Sequence, residues 1–235
     1  MAKVDKHSVV IYTAITGNYD TLKEPPQHAS DGIDCVAFLD GNTPRPDHTA
    51  WQVRDIDKEE SDPCRTAKRY KILPHEFFPQ KEYSLWIDGA VDIQYPFPTE
   101  QLAELFLKDA DLCVFRHYRR GCIYAEAAEC SRRNLDDPAI IDRQIQRYRE
   151  EGYPENAGLV EAIVLLRRHT PAMQAFNETW WQEIQQGSRR DQISFNYVAR
   201  KLGLHYNTFP LTIRVNNGLF SKQEHLKNRQ LASDS

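Results

Sequence analysis

The 235-residue sequence predicts an α/β domain with a mostly parallel central sheet flanked by helices, and three observations carry that expectation. Short β-branched runs such as SVVIYTAIT (8–16) show no polar alternation, as strands buried on both faces do. These runs alternate along the chain with stretches of helical periodicity. No internal repeat or linker-like segment breaks the order. Residues 9–220 therefore read as one domain, 1–8 as an extension and 221–235 as a polar tail.

The first strand runs into Gly17-Asn18. Residues 34–40 (DCVAFLD) form a second strand stopped by Gly41-Asn42, and 51–57 (WQVRDID) alternate as a more exposed strand does. A helix over 64–73 meets the breaker Pro74. Residues 83–93 read as a buried strand with a turn at Asp88-Gly89. Thr99 is expected to cap a helix reaching residue 108, and 111–117 follow as a strand. Residues 122–133 are helical in propensity, and Asp137-Pro138 opens a helix that Gly152 stops. Residues 161–167 (EAIVLLR) read as a strand. Thr170-Pro171 starts a helix with Met173, Phe176, Trp180 and Ile184 on one face and Trp181 at its rim, ended by Gly187. Ser188, with Asp191 three residues on, predicts a capping box for a helix reaching residue 202. The last strand covers 204–209 and extends at most to 215, and the tail from Ser221 is expected to fray.

Composition narrows the function classes. The formal charge of −4 disfavours a globally basic nucleic-acid binder. Mean hydropathy is −0.66, and no apolar run approaches the ~18 residues of a membrane span. The N-terminus carries no secretory signal pattern. Five cysteines form no CxxC pair and no zinc-ligand spacing, so reduced thiols and a cytoplasmic protein are expected. The GxGxxG, P-loop, GxSxG and HExxH motifs are absent.

In open α/β sheets ligands bind beyond the carboxyl ends of the strands, which gives weight to polar residues there. Thr13, Thr16, Tyr19, Asp40, Asp88 and His117 qualify. Asp88 ends a buried strand, where a carboxylate suits a hard divalent cation or simply forms an Asp-Gly turn. Arg65, Lys68 and Arg69 share one face of a short helix, with Lys71 about a third of a turn away. Such a cluster neutralises a diphosphate, or is a solvated face paired with Asp57, Glu59, Glu60 and Asp62. The capping box accounts for Asp191 but not for Gln192, Arg189 or Arg190. His117, Arg119, Tyr124 and Glu126 crowd polar groups after a strand end, as a binding surface or as a helix cap with solvated arginines.

Taken in order, these segments resemble the GT-A class of nucleotide-sugar glycosyltransferases, especially the glycogenin-like and lipopolysaccharide galactosyltransferase-like group. The stretch IYTAITGNYD (11–20) looks like their first strand and nucleotide-binding loop. Trp86-Ile87-Asp88-Gly89-Ala90 stands where they carry the Asp-x-Asp metal motif, with Ala90 replacing the second aspartate. Asn156-Ala157-Gly158 is similar to their Asn-Ser-Gly segment, and Tyr206-Asn207 to their Trp-Asn. Residues 191–196 (DQISFN) match Asp-Gln-Asp-x-x-Asn except at Ile193. The chain resembles the TOD1/MUCI70-like domains more closely still, over roughly residues 9–215. The shared segments are ITGNYD, DPCRTAKRYKILPH, the Trp-Ile-Asp-Gly turn, FRHYRRGCIYAEA and SRRDQISF.

The resemblance implies a GT-A-like fold and transfer of a sugar from a nucleotide-diphosphate-sugar donor to a glycan or other acceptor. Retention of anomeric configuration and help from Mn2+ or Mg2+ are part of that implication. Asp88 would hold the ion, with His225 as the late histidine ligand. Asp191 and Gln192 would act on the donor sugar. Arg65, Lys68 and Lys71, in that order, would face the diphosphate. Thr13, Thr16, Tyr19, Asp40 and Asn156 would line the donor pocket, and His117, Arg119 and Glu126 the acceptor side. Neither a nucleic acid nor a transmembrane segment is implied. Ala90 leaves such an ion one ligand short. A non-catalytic glycan- or protein-binding module and a metal-dependent hydrolase on the same scaffold are the alternatives.

Overall fold

The computed structural model describes residues 3–57, 59–60 and 62–225. Its elements in chain order are β1 (Val9–Ile15), α1 (Gln27–Ser30), β2 (Asp34–Leu39) and β3 (Gln52–Asp55). There follow α2 (Pro63–Ile72), α3 (Pro74–Phe77), β4 (Tyr83–Ile87), β5 (Val91–Ile93) and α4 (Glu100–Phe106). The second half holds β6 (Leu112–Arg116), α5 (Ile123–Arg132), α6 (Pro138–Glu150), β7 (Val160–Arg168), α7 (Pro171–Gln186), α8 (Asp191–Lys201), β8 (Asn207–Thr208) and β9 (Phe220–Lys222).

Seven strands form one sheet in the order β3-β2-β1-β4-β7-β6-β8. All pairings are parallel except those of β7, which runs antiparallel to β4 and to β6. The expected α/β architecture with a mostly parallel sheet flanked by helices is therefore what forms. The unbroken apolar run of β1 has its reason in burial on both faces. Val10, Tyr12 and Ala14 join a core shared with α2 and α5 to α8. Val9, Ile11 and Ile15 join the opposite core, which α4, β5 and β9 close.

Several elements differ from expectation. The 83–93 strand breaks after Ile87, and Gly89 packs so closely in the turn that a Cβ there would lie 3.0 Å from Cβ of Asp20. Its continuation, β5, instead pairs with β9 in a separate two-stranded sheet. Ser221 and Lys222, expected to fray, are thus strand residues, and Gln223 N–H donates to the Ala90 carbonyl at 2.8 Å. Residues 226–235 of the expected tail lie outside the described residues. The last strand of the main sheet, β8, is only two residues long. Trp181 is buried with Trp180 and not at a rim.

The helix caps show which local signals held. Asp137 and Thr170, each followed by proline, accept backbone N–H groups from Ala139 and Met173 as expected. Thr99 does not cap α4; its hydroxyl donates to the Ala29 carbonyl at 2.6 Å. The capping box at Ser188 is not formed either. The Ser188 hydroxyl donates to Asp136 at 2.7 Å, and α8 begins two residues later than expected.

Helix α8 is the most enclosed helix near the sheet, with Asp191 through Ala199 all buried. Phe195 sits edge-on to Phe176, Trp180 and Tyr206 at ring centroid distances of 5.1 to 5.4 Å. Truncating a buried phenylalanine costs about 3–5 kcal/mol. Phe195→Ala should lower the urea unfolding free energy by that amount, and a loss under about 1 kcal/mol would show that this packing does not hold α8.

Candidate functional site

A cavity of about 310 Å3 opens beyond the carboxyl ends of β1, β4 and β6. Parallel strands bring the first two ends together, and the loops leaving them supply Thr16, Tyr19 and Asp88. Because β7 is antiparallel, its amino end reaches the same edge and contributes Glu161. Lys68 and Lys71 enter from the last turns of α2, and Asp191 and Gln192 from the first turn of α8.

At the centre, one carboxylate meets two ammonium groups. Asp191 Oδ2 lies 2.6 Å from Lys68 Nζ and 2.7 Å from Lys71 Nζ. Lys71 also reaches Asp88 Oδ1 at 3.4 Å, and the Trp86 indole N–H donates to that same oxygen at 2.6 Å. Burial alone would raise the Asp191 pKa, but the two lysines outweigh it and hold the carboxyl far below the usual range. Burial also opposes the charge of both lysines. For Lys68 the attraction of Asp191 and Asp88 wins and its pKa is raised; for Lys71 burial wins and its pKa is lowered. Burial is the main cause for Lys71, and repulsion from the Lys68 ammonium adds to it.

Two further cations face the cavity without a carboxylate ion pair among the described residues. Arg190 precedes α8, and its Nε has no hydrogen-bond partner. Lys222 enters from β9, and burial followed by repulsion from Arg214 lowers its pKa. Acids line the same cavity. Glu161 accepts from Arg214 Nε at 3.0 Å and Nη2 at 2.5 Å through Oε1, while its buried Oε2 has no partner among the described residues. Glu126 accepts from Arg120 Nε at 2.7 Å, with His117 Nε2 3.7 Å away. His117 Nδ1 accepts the backbone N–H groups of Arg119 and Arg120, and burial lowers its pKa.

Of the residues singled out from sequence, Thr16, Tyr19, Lys68, Lys71, Asp88 and His117 line this one cavity, with Glu126, Arg190, Asp191, Gln192 and His225. The others do not. Arg65 is spent on the end of α7: it donates to the Ile184 carbonyl and, at 3.0 Å, to the Gly187 carbonyl, with Asp62 at 3.2 Å. Ranking Arg65 above Lys68 and Lys71 is therefore corrected, because its fork is already filled by carbonyls. Asp40 holds the loop after β1, accepting Gly17 N–H at 2.6 Å and the Thr43 hydroxyl at 2.6 Å. Thr13 is buried in β1 and Arg119 points to Tyr118. Asn156 takes a left-handed φ of 56° in the turn before β7 and does not line the cavity. Asp191 serves no capping box.

Sequence reasoning passed over Lys222, Glu161, Arg214 and Arg120. A glutamate opening the apolar run EAIVLL was the available signal for Glu161. Arg190 was visible as a residue the capping box could not explain. Lys222 carried no signal, since its strand is three residues long.

The residues do not fit a divalent metal. Among the described residues no three His, Cys, Asp or Glu side chains converge as ligands. Asp88 is shared by an indole and an ammonium, and Asp92 pairs with Lys23 at 3.0 Å. Ala90, in the place of the second aspartate, is 2% exposed beneath the strand that carries Lys222. His225 Nδ1 lies 2.9 Å from Asp20 and its ring packs on Tyr19.

Residues 1–225 match the TOD1/MUCI70 glycosyltransferase-like domain family, and the chain belongs to it. It is 30% identical over 228 residues to the "Probable hexosyltransferase MUCI70" of Arabidopsis thaliana, an overlap covering 85% of this chain and 38% of that protein. It is 21% identical to the "Alkaline ceramidase TOD1" of the same plant, covering 83% of this chain and 49% of that protein. The chain thus spans less than half the length of either relative. Among solved structures it is similar to mouse xyloside xylosyltransferase 1, with TM-score 0.47 and 12% identity over 86% of this chain and 85% of that one. It is also similar to a glycosyltransferase involved in glycosylation of the major capsid of PBCV-1, with TM-score 0.49 and 11% identity over 97% and 99%. No helix among the described residues is long and apolar enough to cross a membrane.

The placement of Arg65 has a measurable consequence. Charged hydrogen bonds contribute about 1.5–3 kcal/mol each, so Arg65→Ala should lower the unfolding free energy by at least about 1.5 kcal/mol. Chemical denaturation checks this. A variant as stable as wild type would show that Arg65 does not anchor the end of α7.

Proposed function

We propose that this domain is a glycosyltransferase that moves a sugar from a nucleotide-diphosphate donor to an acceptor hydroxyl. The observation that carries the reading is that Lys68, Lys71, Arg190 and Lys222 line one cavity at the carboxyl edge of the sheet. In such a transfer the bond from the anomeric carbon to the phosphate oxygen breaks, and its electron pair leaves with the diphosphate. A new bond forms to the acceptor oxygen, whose proton departs. Negative charge accumulates on the leaving group, and fixed cations in a partly dry site stabilise it most. Family membership and the hexosyltransferase relative support the same reading.

Within it, Thr16 and Tyr19 sit on the nucleoside side and Arg190 and Lys222 take the phosphate oxygens. Gln192 lines the cavity while its amide donates to the Val160 carbonyl at 3.1 Å, which fixes its orientation. Retention of anomeric configuration belongs to this proposal, on the likeness of Asp191-Gln192 to the retaining families. A second reading, hydrolysis on the same scaffold, is favoured by the ceramidase name of the 21% relative. Product analysis separates the two, since a transferase delivers the sugar to a hydroxyl other than water.

Calorimetric titration with uridine and guanosine diphosphates tests the reading. Losing one charged hydrogen bond of ~1.5–3 kcal/mol weakens binding about tenfold or more, at ~1.4 kcal/mol per decade. Arg190→Ala and Lys222→Ala should each do so. Arg143→Ala, on the exposed face of α6, should leave affinity unchanged. If the nucleotide that binds wild type binds both site variants equally well, the cation cluster is not a phosphate site and the reading falls.

A further inference from the structure

We propose that the ammonium groups of Lys68 and Lys71 stand in for a divalent ion, so that nucleotide-diphosphate binding needs no metal. The proposal rests on the donor reading above and extends it to the question of what neutralises the diphosphate.

Three observations converge. First, Asp88, the carboxylate that resemblance offers to an ion, already holds a cation, and so does its neighbour Asp191. Lys71 bridges Asp191 at 2.7 Å and Asp88 at 3.4 Å, and Lys68 sits on the same Asp191 oxygen at 2.6 Å. Two ammoniums carry the charge of one divalent ion, so the four groups sum to zero, as an ion between two carboxylates would. Second, the Lys71 ammonium is built in. Its side chain is 2% exposed, and its backbone carbonyl accepts the Tyr12 hydroxyl and Arg167 Nη1, both at 2.9 Å. Strands β1 and β7 thereby fix the residue from behind, and an entering ion would have to displace a buried, anchored like charge. Third, the other positions that resemblance or proximity offers are apolar or already engaged. Ala90 is apolar and buried, Asp92 is held by Lys23, and His225 lies against Asp20 at 2.9 Å.

With the carboxylates matched internally, Arg190 and Lys222 remain as surplus positive charge for the phosphates. Their lack of carboxylate partners among the described residues is what this division of labour requires.

Calorimetry of wild type with uridine and guanosine diphosphates decides the matter, run once in EDTA and once in millimolar Mn2+. The expected result is one dissociation constant, equal within about twofold in both buffers. Mn2+ titrated alone, followed by electron paramagnetic resonance, should stay free. Lys71→Met should weaken nucleotide binding in EDTA at least tenfold, with circular dichroism confirming the fold. If that variant does not fold, the wild-type arms still give the answer. Binding seen only with Mn2+, or tight Mn2+ uptake by the wild type through Asp88 or the Asp20–His225 pair, overturns the proposal and leaves the donor reading standing. Binding of neither nucleotide in either buffer removes the donor reading, and this proposal with it.

Discussion

Asp191 is a carboxylate shut away from water between two lysines, and much of the domain's layout serves to keep that contact whole. An ion cluster of this kind repays its desolvation only with good geometry and every remaining polar group satisfied. The lysines come from α2 and the aspartate from α8, elements separated by more than a hundred residues of chain. Each is tied down independently. The Trp180 indole donates to the Asp191 carbonyl at 3.1 Å, and Gln192 and Asn196 grip the two backbone groups of Val160 at the start of β7. The Asp-Gln-x-x-x-Asn pattern is thus partly a clamp between α8 and the sheet, in addition to facing the cavity.

The clamp extends through an arginine that no local pattern singles out. Arg167, wholly buried in β7, has no carboxylate ion pair among the described residues; burial lowers its pKa, and its Nη1 donates to the Lys71 carbonyl and the Tyr12 hydroxyl. A charge placed there at such cost, with Nε and Nη2 lacking partners among the described residues, is a positional device. It holds the last turn of α2 at the distance from which Lys71 reaches Asp88 and Asp191 together. Run RR at the end of an apolar strand reads as a solvated strand end. Only the pairing of Ser84 with Arg167 in the sheet shows that the first of the two faces inward.

That case shows where sequence reasoning works and where it stops. Period and punctuation located nearly every strand and helix, because β-branched runs, prolines and glycines act within a few residues of themselves. Strand direction did not follow, and β7 is the reversed strand. The cavity edge followed from the rule about carboxyl ends, so Thr16, Asp88 and His117 were reachable. The assignment of partners was not. Arg65 and Lys68 share one helix face and the same local sequence logic, yet one ends on the α7 carbonyls and the other on Asp191. The choice is made by α7 and α8, which pack against α2 from a hundred residues away. Ser188 and Asp191 satisfied a local capping rule and lost to a tertiary one, since Asp136 offers the serine a partner and the lysines need the aspartate.

The reversal of β7 also explains how a glutamate comes to line the cavity beside the lysines. Had β7 run parallel to β4 and β6, its amino end and Glu161 would lie at the far edge of the sheet, and the carboxyl edge would present mainly the Lys68–Lys71 side. Antiparallel pairing instead sets Glu161 beside the ends of β4 and β6, and a register shift in β6 between Val114 and Phe115 places Phe115 opposite it. Arg214 satisfies one oxygen of that glutamate and leaves the other buried and unpaired among the described residues. An unpaired buried acceptor is costly, and it lines the same cavity as Arg190 and Lys222, which lack carboxylate partners of their own among the described residues. A ligand that carries both anionic oxygens and hydroxyl donors answers both deficits at once. The cavity therefore offers cations and an open acceptor together, and not charge of one sign alone.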